Sequence, residues 1–270
     1  MPDRLMHQAG RVGRGLQCGG EEVRVLLTGA RGIIGAVLQP ALAERFDLVA
    51  VDRRRGAGIR RADLTRRRMS SRLFRDVDAV VDLAATSGTS ISWASARRNM
   101  RITENVLELA RSHGVRRYVL ASSNHVTGLY EQDSPYSEIL AGRYEGLTPG
   151  EHDLISSDSP PRPDSPYAVA KLLGEAAARY YAETSSMSVV CLRIGTVRRE
   201  DTPTTPRHFA TLLSHRDLRH LVECALTAPP PKQHYGIYYG VSANTWRIWR
   251  IDDAASEIGY EPIDDAERLR

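Results

Sequence analysis

The chain has 270 residues, of which 41% are hydrophobic and 26% are charged, and its formal net charge is +4. This length and composition are typical of one large α/β domain that folds around its own core. No apolar run approaches the ~20 residues that span a bilayer, and no apolar secretory segment follows the N-terminal arginines. We therefore expect a cytoplasmic protein without a membrane partner.

The arginines occur in short bursts, such as 53–55 and 66–68, which lie among acidic residues and lack interleaved aromatic residues. This pattern favours a solvated arginine-rich surface and no nucleic-acid partner. Cys18, Cys191 and Cys224 are too widely spaced for a metal motif or a disulfide framework. We expect reduced thiols and no bound metal.

Residues 1–21 have no periodicity and are predicted to form a disordered N-terminal extension. Apolar and β-branched runs then alternate with helical patterns. The predicted strands cover 23–28, 46–52, 78–84, 117–123, 188–194 and 237–239. Two predicted helices end near residues 45 and 74. Four more cover 99–113, 167–183, 217–226 and 251–258. Strands that alternate with helices predict an α/β fold of the Rossmann type, a doubly wound parallel sheet.

We expect one domain over 22–270, with a cofactor-binding core at 22–195 and a small substrate-binding portion mainly at 196–270. Residues 130–164 interrupt the alternation, because they contain five prolines and many Ser, Asp and Gly residues. Long loops of this kind in compact domains tend to be functional lids or irregular insertions.

A glycine-rich turn, Gly29-x-x-Gly32-x-x-Gly35, follows the first predicted strand and opens a helix. Glycines in this context permit a tight turn and let the backbone approach a pyrophosphate, which the helix N-terminus stabilises. Asp52 ends the second predicted strand, where its carboxylate can accept hydrogen bonds from both ribose hydroxyls and repel a 2′-phosphate. The sequence therefore favours NAD over NADP.

Two observations near this turn leave alternatives open. Arg31 and the arginines at 53–55 could bind a 2′-phosphate, which argues for NADP. Asp63 and Leu64 fit a place beside the adenine, but Asp63 fits a cap of the helical stretch that follows equally well.

Ser165 and Pro166 are typical of a helix start, at the N-cap and at the first helical position. Tyr167 and Lys171 are four residues apart, so they project from one helical face. A phenol is a poor base at neutral pH, and an ammonium a few ångströms away favours the phenolate. The pair is a candidate general base, although such pairs also occur by chance. Ser123 ends the fourth predicted strand, where the same crevice would collect it.

The larger pattern consists of the glycine turn, Asp52, Asp63-Leu64, Asn99, Ser122-Ser123 and Tyr167-x-x-x-Lys171. In this order and spacing, the set resembles the extended short-chain dehydrogenase/reductase family, which includes NAD-dependent epimerases and dehydratases. The resemblance implies an NAD-dependent enzyme with Tyr167 as catalytic acid/base, Lys171 on the nicotinamide ribose and Ser123 on the reacting hydroxyl. The implied cofactor contacts are Gly29, Arg31, Gly32, Ile33, Ile34, Gly35, Asp52, Asp63, Leu64, Leu83, Ala84, Ala85, Asn99, Tyr167, Lys171 and Ile194.

Within that family, the stretches 121–128, 193–195, 239–242 and 259–267 resemble uronate dehydrogenases. About 75 residues follow Gly195, too few for a large sugar-nucleotide pocket. The resemblance implies that a small anionic sugar, glucuronate or galacturonate, is oxidised at its anomeric hydroxyl to an aldarolactone with formation of NADH. The implied substrate contacts are Ser87, Ser123, Asn124, His125, Tyr167, Thr196 and Arg207.

Arg207 is the implied ligand of the sugar carboxylate, because a guanidinium binds carboxylates through two parallel hydrogen bonds. Three features depart from uronate dehydrogenases: a longer 130–164 segment, a longer loop before Arg207, and Thr196 where a serine is expected. The alternative functions are an epimerase or reductase that acts on another small sugar or alcohol, and a nucleotide-binding protein without catalysis. By analogy with the family, the helices 99–113 and 167–183 would pair in a homo-oligomer, a dimer or larger.

Overall fold

Seven parallel β-strands form one sheet in a computed structural model that describes residues 23–270. The strands are β1 (Arg24–Thr28), β2 (Asp47–Asp52), β3 (Ile59–Arg61), β4 (Ala79–Asp82), β5 (Arg117–Ala121), β6 (Ser188–Ile194) and β7 (Tyr235–Gly240). Their order is β3-β2-β1-β4-β5-β6-β7, so the direction of winding changes between β1 and β4. This is the predicted Rossmann-type fold, in which ligands bind at the carboxyl ends of the strands beside that change. The predicted extension 1–21 and Cys18 lie outside the described residues.

Helices cover both faces of the sheet. The α-helices are α1 (Ile33–Ala43), α2 (Arg67–Ser70), α3 (Trp93–Ser112), α4 (Tyr136–Leu140), α5 (Pro166–Thr184), α6 (His208–Thr211), α7 (His215–Thr227) and α8 (Asp252–Ile258). The 3₁₀ helices are Ser71–Phe74, Asn124–Gln132, Lys232–His234 and Ala266–Leu269. Side chains of α1, α7 and α8 share one apolar cluster with the sheet, and those of α3 and α5 share a second. Within 23–270, no helix is long and apolar enough to cross a membrane.

The side chains of the central strand β1 alternate between these two clusters. Val25 and Leu27 belong to the cluster of α1, and Leu26 belongs to the cluster of α3 and α5. All three side chains are fully buried. Because both faces of a parallel sheet are covered, its strands are apolar at consecutive positions. This is the physical reason why continuous apolar runs, rather than alternation, identified the strands.

Several elements differ from the sequence prediction, and two of them have a clear local reason. Helix α3 begins at Trp93 rather than at residue 99, because Ser92 caps it and accepts a hydrogen bond from the Ser95 N–H at 3.3 Å. Strand β3 is absent from the prediction, since Ile59 is its one apolar residue and the two arginines that follow are exposed. β3 lies at the edge of the sheet, where burial imposes little pattern on the sequence.

The 130–164 segment is more structured than the sequence indicated. It contains α4, and its residues Ile139 and Ile155 are buried in a third apolar cluster with Trp246 and Trp249. The backbone N–H of Ile155 also donates to the carbonyl of Ile248 at 2.9 Å. The segment is therefore an insertion that packs on the C-terminal part of the chain. Its apolar residues are too sparse to form a readable helical or strand pattern.

A buried ion pair joins α5 to β6 below the carboxyl edge of the sheet. Arg193 Nε and Nη2 donate to the two carboxylate oxygens of Glu175, each at 3.0 Å. The two side chains are only 2% and 3% exposed. Ser122, directly after β5, donates to the same carboxylate at 2.5 Å, and Arg193 Nη1 donates to the Tyr239 hydroxyl of β7 at 3.3 Å. One network of hydrogen bonds thus fixes α5 relative to the ends of β5, β6 and β7.

We expect Glu175→Gln to lower the free energy of unfolding by about 3 kcal/mol, because it leaves the buried Arg193 without a counter-charge. Glu183→Gln is the matched control on the same helix, since the Glu183–Arg179 pair is 47% and 57% exposed and should change stability by less than about 1 kcal/mol. Urea unfolding of the three proteins measures both values. Equal losses in the two variants would contradict this account.

Candidate active site

The turn between β1 and α1 fits tightly against the end of β4. Gly29 has φ +66°, and a Cβ there would lie 2.9 Å from the carbonyl carbon and oxygen of Leu83. A Cβ at Gly35 would lie 2.5 Å from the Gly29 carbonyl oxygen. Gly32 is the N-cap of α1 and offers no side chain to the first helical N–H groups. These groups are therefore available to an anion such as a pyrophosphate.

Two cavities flank this turn and share Gly29, Gly32, Leu83 and Ala85 as walls. The first, of about 680 Å³, extends toward the end of β2 and is called the β2-side cavity here. The second, of about 1000 Å³, extends toward the ends of β5 and β6 and is called the β5-side cavity. Together they form one cleft across the change of winding direction, where this fold binds dinucleotides.

Asp52 lines the β2-side cavity and is held by backbone groups. Its Oδ2 accepts from the Arg31 N–H at 3.0 Å, and its Oδ1 accepts from the Arg54 N–H at 2.9 Å. The arginines that could bind a 2′-phosphate are partly engaged as well: Arg54 Nη2 donates to the Arg31 carbonyl at 2.9 Å, and Arg31 donates to the Arg55 carbonyl. The carboxylate is thus fixed where a ribose diol could donate to it.

Asp63 lines the β2-side cavity, and it does not cap α2, whose N-cap is Arg66 without a side-chain hydrogen bond. Leu64 lines the same cavity, and Asp63 Oδ1 accepts from the Thr65 N–H at 3.1 Å and from the Thr65 hydroxyl at 2.7 Å. The hydrogen bond from the Thr65 hydroxyl is the main reason why the pKa of Asp63 is lowered. Asp63 therefore anchors its own turn and also forms part of the cavity wall.

Tyr167, Lys171 and Ser123 all line the β5-side cavity. Ser165 caps α5, since its hydroxyl accepts from the Ala168 N–H at 3.2 Å, and this helix start places Tyr167 at the cavity. Lys171 Nζ donates to the carbonyl of Ala121 at 2.5 Å and lies 5.7 Å from the centre of the Tyr167 ring. The end of β5 thus holds the ammonium beside the phenol.

Asn124 carries an unsatisfied hydrogen-bond donor in the same cavity. Its side chain is 2% exposed, and Nδ2 has no hydrogen-bond partner among the described residues. An unpaired buried amide is costly in a folded protein. The cavity wall also contains Ser87, Ser123, His125 and Thr196, whose donors and acceptors fit a ligand rich in hydroxyl groups.

His125, also in the wall, is oriented by an acid that the sequence analysis did not single out. His125 Nδ1 lies 2.5 Å from Asp164 Oδ2, and Asp164 Oδ1 accepts from the Ser165 hydroxyl at 2.8 Å. This pairing leaves Nε2 as the ring nitrogen that can face a ligand. Burial alone would raise the pKa of Asp164, but the hydrogen bonds from His125 and Ser165 and the charge of Arg207 outweigh it and lower that pKa. The sequence offered one signal for Asp164, namely its position directly before Ser165, the N-cap of α5.

Arg207 lies behind the wall of the β5-side cavity, and the hydroxyl of Thr196 stands between the two. Its Nη1 donates to the hydroxyl of Thr196 at 3.2 Å, and Thr196 lines the β5-side cavity. Its Nε and Nη2 donate to the carboxylate of Glu131 at 2.7 and 2.6 Å. Sequence reasoning missed Glu131, because nothing in the sequence brings residue 131 next to residue 207.

Most other residues with an expected contact also line the cleft. These are Ile33, Ile34, Gly35, Leu83, Ala84, Ala85, Ser87 and Ile194. Asn99 does not line either cavity; its amide instead accepts from the Thr86 N–H at 2.8 Å and donates to the Thr86 carbonyl at 2.9 Å. Asn99 therefore positions the loop after β4, which does line the cleft.

Comparison with known proteins places these features in a family context. A sequence profile of the NAD dependent epimerase/dehydratase family matches residues 25–227. Uronate dehydrogenase from Pseudomonas syringae pv. tomato is 31% identical over 255 residues, which cover 92% of this chain and 84% of that protein. NAD-dependent glucose-6-phosphate dehydrogenase from Haloferax volcanii is 31% identical over 255 residues, which cover 90% of this chain and 94% of that protein. L-arabinose 1-dehydrogenase (NAD(P)(+)) from the same organism is 30% identical over 256 residues, which cover 90% of this chain and 97% of that protein.

Solved structures agree with these sequence relationships. A mutated uronate dehydrogenase superposes with a TM-score of 0.77 at 32% identity, which covers 93% of this chain and 85% of that chain. A mutant of uronate dehydrogenase from Agrobacterium tumefaciens, complexed with NAD, superposes with a TM-score of 0.72 at 27% identity. The superposition covers 92% of this chain and 87% of that chain. The similarity therefore extends over nearly the whole described chain.

The lowered pKa of Asp164 predicts a pH-dependent stability difference. An acid whose pKa is lower when folded contributes stability above its unfolded value of about 3.9 and loses that contribution as the pH falls through the folded value. Asp164→Asn should therefore lower Tm by about 2–4 °C at pH 7, from a loss of about 1 kcal/mol after allowance for solvent screening. The difference from wild type should shrink toward pH 3.

Thermal melts between pH 7 and pH 3 measure this difference. The control is Asp76→Asn, because the Asp76 side chain is 76% exposed and its φ of 57° suits asparagine equally well. A difference between Asp164→Asn and wild type that stays constant over this pH range would show that the charge of Asp164 does not stabilise the fold.

Proposed function

The chain belongs to the NAD-dependent epimerase/dehydratase family and is an NAD-dependent sugar dehydrogenase of the uronate dehydrogenase type, and we propose that it oxidises the anomeric hydroxyl of its sugar with Tyr167 as general base. The observation that carries this proposal is the presence of Tyr167, Lys171 and Ser123 in one cavity that continues into the glycine turn. In this proposal the cofactor binds mainly to 22–195, and the sugar also contacts 196–270.

Each of the three side chains has a chemical role in the proposal. The Ser123 hydroxyl holds the anomeric oxygen, and the Tyr167 oxygen takes the proton from it. The Lys171 ammonium stabilises the negative charge of the tyrosine oxygen. NAD, when bound, supplies the hydride acceptor. Loss of a hydride from the anomeric carbon and of a proton from its hydroxyl turns the cyclic sugar into a lactone.

A hexuronic acid, glucuronate or galacturonate, is the first candidate substrate. It is supported by relatives and solved structures that are named uronate dehydrogenase. In this case the product is an aldarolactone, and Arg207 binds the sugar carboxylate after release from Glu131. Hydroxyl contacts come from Ser87, Asn124, His125 and Thr196.

A sugar without a carboxylate is the second candidate, and the pairing of Arg207 with Glu131 favours it. Two parallel hydrogen bonds to Glu131 occupy the Nε–Nη2 edge of Arg207 and offset its charge, which weakens its attraction for a second carboxylate. The relative named L-arabinose 1-dehydrogenase supports this candidate as well.

A homodimer through α3 and α5 is part of the proposal. These two helices carry the exposed hydrophobic side chains Trp93, Leu173 and Tyr180, which are 54%, 45% and 62% exposed. In this proposal they lie in the interface, since exposed apolar surface favours association when it forms a contiguous patch.

We expect glucuronate, galacturonate or their uncharged counterparts to reduce NAD, with NADP at least about ten times less effective because the fixed Asp52 carboxylate repels a 2′-phosphate. Absorbance of reduced nicotinamide, with both cofactors tested side by side, measures this. A broad panel of sugar acids and aldoses without any nicotinamide reduction would contradict the dehydrogenase. Conversion of a sugar without net NADH would instead indicate the alternative, an epimerase.

Tyr167→Phe should lower kcat about 10³-fold, because it removes the group that takes the proton, while the Kd for NADH should change less than about twofold. Tyr180→Phe is the control, since Tyr180 is an exposed tyrosine on the same helix. Steady-state kinetics and fluorescence titration with NADH give the two values. Wild-type kcat in Tyr167→Phe would exclude the tyrosine as base.

A further inference from the structure

The side-on edge of the Arg207 guanidinium, formed by Nε and Nη2, is occupied by an acid of the chain itself. Nε and Nη2 are held by the two carboxylate oxygens of Glu131 at 2.7 and 2.6 Å. Nη1 is held by the hydroxyls of Thr196 and Thr211 at 3.2 and 3.5 Å. One of the two guanidinium edges that bind a carboxylate through two parallel hydrogen bonds is thus taken by Glu131, and the Nη1 group of the other edge is engaged by hydroxyls.

The backbone places this pair next to the sugar side of the cleft. Glu131 belongs to the 3₁₀ stretch Asn124–Gln132, whose first residues line the β5-side cavity. Thr196 lines the same cavity and accepts from Arg207. Arg207 is the N-cap of α6, and four hydrogen bonds from its side chain hold the guanidinium between Glu131, Thr196 and Thr211. A ligand in the cavity therefore meets Thr196 and, behind it, an ion pair.

The ion pair is only partly exposed to solvent, and a second carboxylate lies near it. The side chains of Arg207 and Glu131 are 27% and 16% exposed, so solvent screens them only in part. Asp164 supplies a second carboxylate close enough for the charge of Arg207 to lower its pKa. A substrate carboxylate that displaced Glu131 would leave that acid poorly solvated and without a partner, which is costly.

We infer that Glu131 sets the substrate class, because it occupies the edge of Arg207 that a uronate carboxylate would need and so selects a sugar with an uncharged group at this position. This inference rests on the proposed dehydrogenase function and decides between its two candidate substrates. A hydroxymethyl group can hydrogen-bond to Thr196 while the ion pair stays closed. Glu131 is thus a specificity residue, and it takes no part in the proton transfer.

Matched sugar pairs test the inference. D-glucuronate and D-glucose, like D-galacturonate and D-galactose, differ only in a carboxylate or a hydroxymethyl group at C6. For the wild-type enzyme, kcat/KM should be higher for the uncharged member of the pair. In Glu131→Gln, which keeps the shape but not the charge, the ratio of kcat/KM for the uronate to that for the aldose should rise at least tenfold.

Three controls make this result specific. Glu223→Gln removes an acid of α7 that pairs with Arg45, and neither residue lines the cleft. It should leave the ratio of kcat/KM for the uronate to that for the aldose unchanged. The double variant Glu131→Gln, Arg207→Gln should lose the gain, because no guanidinium then faces the carboxylate. Calorimetric titration of the enzyme–NADH complex with D-glucuronate should show a Kd at least tenfold lower in Glu131→Gln than in wild type, without any turnover.

Two results would overturn the inference: a wild-type preference for the uronate of each pair, or a ratio in Glu131→Gln that equals that of wild type. If Glu131→Gln does not fold, the wild-type preference between the paired sugars decides by itself. If the wild-type enzyme reduces NAD with none of the four sugars or with any other sugar tested, the proposed function fails and the inference falls with it.

Discussion

The buried ion pair between Glu175 and Arg193 is the constraint on which the geometry of the cleft depends. Glu175 lies one helical turn after Lys171 on α5, and Arg193 is the last but one residue of β6. The same carboxylate accepts from Ser122, which directly precedes Ser123. A charge pair that is nearly excluded from water has few alternative arrangements, because any other arrangement leaves a charge unpaired. The helix and the strand ends therefore keep one register, and the candidate catalytic side chains share one cavity.

Around this frame, the cleft separates its charges by function. On the β2 side, backbone N–H groups hold the Asp52 carboxylate at the end of its strand. On the β5 side, the Ala121 carbonyl holds the Lys171 ammonium beside the tyrosine. Farther along, Glu131 neutralises Arg207. The closed ion pair is the departure from the family resemblance that bears on the substrate, because Arg207 was the implied ligand of the sugar carboxylate.

Local patterns were sufficient wherever a single element determined the outcome. The apolar runs identified β1 and β6 because these strands are buried on both faces, and Ser165 with Pro166 identified the start of α5 because capping is a local interaction. The sequence failed where burial was weak, as at the edge strand Ile59–Arg61, or where sparse apolar residues pack over long distances, as in 130–164. No local rule describes such packing.

The amino-acid sequence by itself determined the Rossmann-type fold, because alternating strand and helix patterns dictate it. It also determined the glycine turn and the Tyr167–Lys171 pair, because spacing within one turn or helix dictates them. The tertiary structure alone decided the partners of the site residues. It showed that Asp164 orients His125 and that Glu131 holds Arg207 across 76 positions of sequence. Hydrogen bonds and ion pairs between distant segments depend on how the elements pack, and spacing along the chain carries no record of that packing.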